Sequence, residues 1–394
     1  MSENIDTEGQ STDRLALAAV FASVASTGIA WGTLTPLLTV LMERDGVPAS
    51  LIGLNSAAPV LAVLIAARLL PTVSRRIGVA GALFGGLAST VVAIMLMAYL
   101  RSYEAWLAIR FVLGITGSVH WILSETWINT LSPPNRRGLF VGIYGALFMA
   151  GFALGPLMLT AIPIEGALPF ALVALATAAA GLPLYLLRHR LPRLDDRPQK
   201  ASLAPLLTTP TVFLGVLTSG LADSALWALL TVYGIQKGLG ETPALELLAA
   251  LNIGTVALQI PLGWIADRIG ARPMLLLCGA VGTAGGLALP FAMDDWPVAL
   301  VWSLVFIWGA MLAALYTVAL VELGRRFSGA ALAEANAVFV SGYSLGGLVG
   351  PLVAGFAMDG RGPDALPGYV AVVTGAYLVF AVVRTLQRRH RRET

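Results

Sequence analysis

Charge is scarce in this chain. Asp, Glu, Lys and Arg make up 12% of its 394 residues, against 57% hydrophobic. A soluble domain carries about 25% charged and about 45–50% apolar residues. So few charges cannot coat a water-soluble particle, so a soluble globule is excluded and an integral membrane protein is expected. Cysteine is almost missing. Cys278 stands alone, which excludes an intramolecular disulfide and a multi-cysteine metal site. In its apolar run it reads as a small packed residue. There is no G-x-x-x-x-G-K-[ST] loop, so a nucleotide-driven machine lacks its phosphate cradle. H-E-x-x-H is missing too, which leaves an intramembrane metalloenzyme without that signature. The first 13 residues have neither the basic n-region nor the cleavage site of a signal peptide. They read as a disordered cytoplasmic tail (1–14), and the first apolar span has to serve as the insertion signal.

What the chain does have is long apolar runs. A hydrocarbon core of about 30 Å needs about 20 apolar residues per helix. Runs between charged or Pro/Gly-rich breaks give about twelve spans, near 15–41, 50–71, 78–100, 104–130, 138–162, 167–187, 210–235, 244–266, 272–293, 296–321, 332–358 and 368–386. They are too long for strands and do not alternate. Nineteen of the 25 lysines and arginines fall on one set of loops and the tail; Arg44, Arg101, Lys237 and Arg361 fall on the other. The positive-inside rule makes the richer side cytoplasmic, with both termini there. The isoelectric point of about 9.2 therefore reflects membrane topology, not nucleic-acid binding. The basic stretch 188–209 reads as a linker between lobes 15–187 and 210–386, with a basic tail at 387–394. Trp106 and Trp296, at span starts, read as interfacial anchors.

The chain repeats itself. Gly151-Phe-Ala-Leu-Gly155-Pro156 returns 195 residues later as Gly346-Gly-Leu-Val-Gly350-Pro351. Arg76-Ile77-Gly78 returns as Arg268-Ile269-Gly270, and Thr27-x3-Trp31 as Asp223-x3-Trp227. The expected fold is an all-α membrane protein of two pseudo-symmetric six-helix lobes around a central cavity. GxxxG spacing serves close helix packing, which is the role expected of Gly151, Gly155, Pro156, Gly346, Gly350 and Pro351.

These motifs resemble those of the major facilitator superfamily over nearly the whole chain. Gly263-Trp-Ile-Ala-Asp267-Arg268-Ile-Gly270-Ala-Arg272 is similar to its signature loop, G-x-x-x-D-R-x-G-x-R/K. The resemblance implies a cytoplasmic latch of Gly263, Asp267, Arg268, Gly270 and Arg272. The first-half counterpart, Ser74-Arg75-Arg76-Ile77-Gly78, has Arg75 where the aspartate would stand. Arg110-Phe-Val-Leu-Gly114 resembles a second motif, R-x-x-x-G. The GxxxGP segments resemble the span-five motif of efflux antiporters, without its trailing glycines. Some resemblance also runs to compact bacterial permeases that include copper and flavin importers. Copper would want paired methionines; no M-x-x-x-M is present, and Ser124 rather than Met follows His120 at i+4.

Ionisable residues inside spans are costly and are functional candidates by default. Four lie away from helix ends: Arg110, His120, Glu125 and Asp223. The resemblance puts spans one, four, seven and ten around the cavity, and all four residues fall on spans four and seven. On a helical wheel, Arg110, Gly114, Gly117, Trp121, Ser124 and Glu125 share a face about 100° wide, with His120 at its edge. Arg110 and Glu125 are about 22 Å apart along the axis and cannot pair. Asp223 is the foremost proton-coupling candidate; its plain alternative is a buried acid pinning two helices. Arg110, His120 and Glu125 are further coupling candidates, each with a structural alternative. Thr27, Trp31, Trp121, Ser219, Trp227, Trp308 and Tyr316 are the substrate candidates, four of them indoles suited to a flat molecule. Outside the cavity, Asn55, Asn252 and Gln259 read as helix–helix glue. The resulting expectation is a monomeric, proton-coupled secondary transporter of the bacterial inner membrane, with no cofactor, metal or nucleic acid. Its substrate is a small amphipathic or aromatic molecule. Export is favoured, and uptake of a flavin-like molecule is the alternative.

Overall fold

The computed structural model describes residues 3–132, 136–186, 188, 208–327 and 329–393. Among these the chain is helical throughout, and eleven helices are long and apolar enough to cross a membrane. In hydrocarbon every backbone N–H and C=O must be satisfied within the protein, which favours helices over open strands. The first, α1, runs Glu3–Arg44. Ala49–Tyr99 contains α2, up to Gly78, and α3, beyond it; the glycine between has φ 78° and ψ 160°. Then come α4 Tyr103–Leu131, α5 Arg137–Thr160, α6 Leu168–Leu186, α7 Pro210–Gln236, α8 Glu241–Ile269, α9 Ala271–Asp295, α10 Val298–Arg326, α11 Gly329–Arg361 and α12 Ala365–Glu393.

Two features depart from the sequence expectation. Helix α1 begins at Glu3, inside the stretch read as a disordered tail. The linker from 189 to 207 lies outside the described residues. Trp106 is not an interfacial anchor: it is 2% exposed, and its indole N–H donates to the Met97 carbonyl at 3.0 Å. Trp296 is 46% exposed, as an anchor would be.

Two compact units make up the chain: Met1–Leu38 with Ala58–Arg197, and Thr39–Ala57 with Pro198–Thr394. The first unit's core gathers Val20, Leu83, Leu123, Trp127, Phe148 and Leu184. The second unit's core gathers Val216, Met274, Leu315, Leu323, Phe339 and Tyr377.

The repeated GxxxGP segments do the same job in each unit. In the first, Gly151 and Gly155 on α5 press against α1 at Ala25 and Gly32, and a Cβ on either would collide with α1 backbone. The contact is mutual, because Gly28 and Gly32 meet the carbonyls of Phe148 and Phe152. Pro156 has no N–H to offer one turn back, and the carbonyl there is the Phe152 carbonyl against Gly32. In the second unit, Gly346 and Gly350 on α11 press on Leu221 of α7, while Gly220 meets the Tyr343 carbonyl. The repeat also extends to backbone conformation. Gly270, between α8 and α9, has φ 91° and ψ 154°, close to Gly78. That region is open essentially to glycine alone.

The tip of the α1–α2 hairpin is held within the second unit. Arg44 pairs with Glu241, and Gln236 donates to Glu43 at 3.2 Å. Asp359 on α11 caps α2, accepting from the amides of Ala49 at 2.8 Å and Ser50 at 3.1 Å. Gly53 sits on the Pro351 carbonyl and Gly355 on the Ala49 carbonyl. Nearby, Lys237 bridges Asp294 at 2.7 Å and Asp364 at 3.3 Å. Burial alone would lower the Lys237 pKa, but hydrogen bonds and charge from both aspartates outweigh it and hold it above the usual lysine range. This bridge is therefore complete at neutral pH and is lost only as pH rises through that raised value.

Gly155→Val should destabilise the chain by more than the about 1–3 kcal/mol typical of an overpacked core, because backbone has to move. Gly142→Ala, on the same helix with no atom within 4 Å of its Cβ, should leave stability unchanged or slightly higher. Thermal midpoints of the purified variants test the pair, and equal midpoints would remove the packing role.

Candidate functional site

In the first unit the polar centre is His120 of α4. Its Nε2 lies 2.7 Å from the Ser23 hydroxyl and 3.4 Å from that of Ser124. Its Nδ1 lies 3.4 Å from the Thr27 hydroxyl, which donates to the Ser23 carbonyl at 2.9 Å. All four side chains are buried. Ser23 and Thr27 are one turn apart on α1 and so share a face. The i,i+4 spacing of Ser23 and Thr27 was readable in the sequence; that both face His120 depends on how α4 docks on α1.

Beside this centre stands a wall of rings. Trp31 and Trp121 stack with centroids 6.4 Å apart, and Phe148 meets Trp121 edge-on at 4.7 Å. Tyr144 and Phe152 extend the wall. Gly117 makes room for the Trp31 ring. Glu125 accepts a hydrogen bond from the Trp121 indole one turn back. Arg110 is buried near Thr35, with its guanidinium 3.4 Å from the hydroxyl. Span four thus presents its polar residues at three separate places: Arg110 toward Thr35, His120 toward α1, and Glu125 toward Trp121.

In the second unit the polar centre is Asp223 of α7, 8% exposed. Ser219 donates to its Oδ2 at 2.8 Å and lies 3.5 Å from the Leu312 carbonyl. Tyr343 is close enough to feel its charge. Tyr316 packs edge-on against both Tyr343 and Phe339, each at 5.1 Å. Trp227 is partly buried one turn beyond Asp223. Trp308 does not join this group. It is fully buried, its indole N–H donates to the Gly282 carbonyl at 2.9 Å, and its ring covers Gly285, so it fastens α10 to α9. Phe339 and Tyr343 were missed by the sequence reading; both follow the α11 face that carries Gly346. Gln259, read as helix glue, instead lines a crevice between α8 and α10 with Thr255 and Thr317.

The signature loop joins α8 to α9. Asp267 accepts from Arg325 of α10 at 3.0 Å, and both side chains are largely exposed. Arg268 stacks on the Trp264 ring at 3.5 Å. Gly270 supplies the turn, Gly263 has open space beside it, and Arg272 points to a cleft with α10 and α12. In the first-half counterpart Arg75 bonds only as far as Thr72, at 3.3 Å.

Two stability tests follow. Ser23→Ala leaves the buried imidazole without its shortest partner and should cost about 1–3 kcal/mol. Ser26→Ala, whose hydroxyl turns back to the Ala22 carbonyl, should stay within about 0.5 kcal/mol. Asp267→Asn breaks an exposed ion pair and should cost less than about 1 kcal/mol. Chemical denaturation of the purified chain measures all three, and a large Asp267→Asn loss would make that pair structural.

Comparison with known proteins covers residues 20–394. Residues 20–252 and 212–394 match the family model described as Major Facilitator Superfamily. An uncharacterized MFS-type transporter of Bacillus subtilis, YfkF, is 24% identical over 347 residues, covering 85% of this chain and 87% of that protein. The Escherichia coli MFS-type transporter YcaD is 27% identical over 282 residues, covering 70% and 72%. Among solved structures, an inward-facing bacterial homolog of the human lysosomal transporter Spinster superposes with a TM-score of 0.72 at 14% identity, covering 94% of this chain and 95% of that one. The nucleoside transporter NupG does so at 0.71 and 13%, covering 95% and 99%. At such identities the likeness is one of fold.

Proposed function

Since the chain belongs to the Major Facilitator Superfamily, a family of membrane transporters and not of enzymes, we propose that it couples proton movement to transport of a small amphipathic or aromatic organic molecule. The observation that carries this reading is Asp223, a carboxylate buried inside a membrane helix with the Ser219 hydroxyl as its hydrogen-bond partner. A hydroxyl can donate to the carboxylate or accept from the protonated acid, so the contact serves both states of a proton carrier. An ionisable group at such depth is costly and is a functional candidate by default. His120, held by hydroxyls, is a second proton site and Glu125 a third; Arg110, which keeps its proton, supports the coupling through its fixed charge or orients an anionic substrate.

The rings support the substrate class. Trp31 and Trp121 in the first unit, and Tyr316 in the second, offer flat apolar surfaces near polar centres, a composition suited to an aromatic or lipophilic molecule. Thr27, Ser219 and Trp227 complete the proposed contacts. Export is the favoured direction, because Gly151-x3-Gly155-Pro156 resembles the motif of efflux antiporters; uptake is the alternative. The chain works as a monomer with its basic loops and both termini in the cytoplasm.

Asp223→Asn, reconstituted in vesicles, should abolish substrate movement driven by an imposed pH gradient and leave counterflow exchange intact. A panel of organic cations, flavins and nucleosides supplies the probes, and the sign of the gradient that drives flux gives the direction. Undiminished gradient-driven flux in Asp223→Asn would make this acid structural.

A further inference from the structure

At one end of the second unit, α7, α9, α10 and α12 border an open cleft of about 480 Å³, mouth included. Three arginines line it, Arg272, Arg326 and Arg384, with the hydroxyls of Thr211 and Thr385 between them. Its single carboxylate among the described lining residues is Glu322, and Arg326 already occupies that group, donating from Nε at 2.7 Å and from Nη2 as well. Two of three positive charges are left without compensation from the lining. Arg384 Nε is shielded from solvent and meets no acceptor among the described residues. A buried donor with no partner is costly, and it points to an acceptor that the described residues do not provide.

The rest of the cleft suits a phosphate group. Helix α7 starts here, with Pro210 at its first position, so the positive end of its dipole favours an anion. Arginine forks match phosphate oxygens in pairs. The depth also fits a lipid headgroup: Arg326 ends α10, Arg272 is the second residue of α9, and α7 begins beside them. On the side of α12 turned away from Arg384, Val382, Val383 and Leu386 are 40%, 45% and 59% exposed, so the turns that carry the arginine also meet the apolar bilayer.

We propose that this cleft binds the phosphate of an anionic phospholipid, with Arg384 as its central donor and Arg272 and Arg326 beside it. Basic clefts between membrane helices near the headgroups are recurrent sites of this kind. The binding is independent of which substrate the chain moves.

The test uses the full chain purified in detergent and its thermal midpoint as lipid is added. Phosphatidylglycerol should raise the midpoint in a saturable way, and phosphatidylcholine should not. Arg384→Ala should weaken the apparent affinity for phosphatidylglycerol about tenfold, the effect of losing one charge-assisted bond. Arg384→Lys should retain part of it. Arg76→Ala, an exposed arginine outside the cleft, should keep all of it. If Arg384→Ala does not yield folded protein, Arg272→Gln serves in the same titration. An unchanged phosphatidylglycerol shift in the cleft variants, an equal shift with phosphatidylcholine, or an equal loss in Arg76→Ala would overturn the site. A shift with inorganic phosphate alone matching that of phosphatidylglycerol would keep a phosphate site but overturn the lipid as its source.

Discussion

Backbone pressed on backbone, with glycine as the only residue that fits, is the contact on which this fold depends. Inside a bilayer the hydrophobic effect does not drive helices together, because lipid tails are as apolar as leucine. Cohesion has to come from close packing, and the closest packing occurs where a side chain is missing. Here Gly151 and Gly155 meet α1, and Gly346 and Gly350 meet α7. Those two contacts set where α1 and α7 run in their units. The polar centres ride on the same two helices: Ser23 and Thr27 on α1, Ser219 and Asp223 on α7. The scaffold is duplicated, while the chemistry placed on it is not.

The difference between the halves shows how function can separate without a change of fold. Thr27 and Asp223 stand at matching positions of the repeat. Thr27 can only exchange hydrogen bonds, and it passes that role to His120. Asp223 can change its charge. At the loops, Asp267 finds Arg325, whereas Arg75 at the matching place has no carboxylate to offer. Yet Gly78 and Gly270 keep nearly the same backbone angles. The turn is a requirement of geometry and persists in both halves; the ion pair is seen in one half only among the described residues.

Hydropathy and repeats made the helices legible, because membrane spans are long and uniformly apolar and no other element has that signature. The repeated glycines were legible for the same reason, since few residues permit such approach. Side-chain direction was not. Trp308 falls on an expected cavity helix, but its N–H goes to Gly282 and its ring to Gly285. A tryptophan that fastens two helices and one that faces a ligand have identical sequence surroundings, and only the neighbouring helix decides between them. Trp106 shows the same ambiguity at a span start, where an inward carbonyl on Met97 captured its indole. Phe339 and Tyr343 were hidden because aromatic residues in a membrane span are the rule, and their bearing on Asp223 depends on how α11 docks.

The hairpin tip at residues 39–57 combines two kinds of contact with different consequences. Gly53 on Pro351 and Gly355 on Ala49 extend the α11 glycine stripe to a third helix. In the first half the residue 195 positions before Gly355 is Thr160, the last residue of α5. A threonine there cannot permit the same approach, so this extension belongs to one half only. Around it stand Arg44 with Glu241, Gln236 with Glu43, and Asp359 on the α2 amides. Each of these is solvated in part, and such contacts are individually worth about 1 kcal/mol or less. Water can replace them one at a time, whereas the α1–α5 and α7–α11 contacts have no substitute in lipid. A transporter has to alternate between arrangements without unfolding, so contacts meant to last should be dry and apolar, and contacts meant to break should be wet and polar. The tip is built of the second kind around a small core of the first.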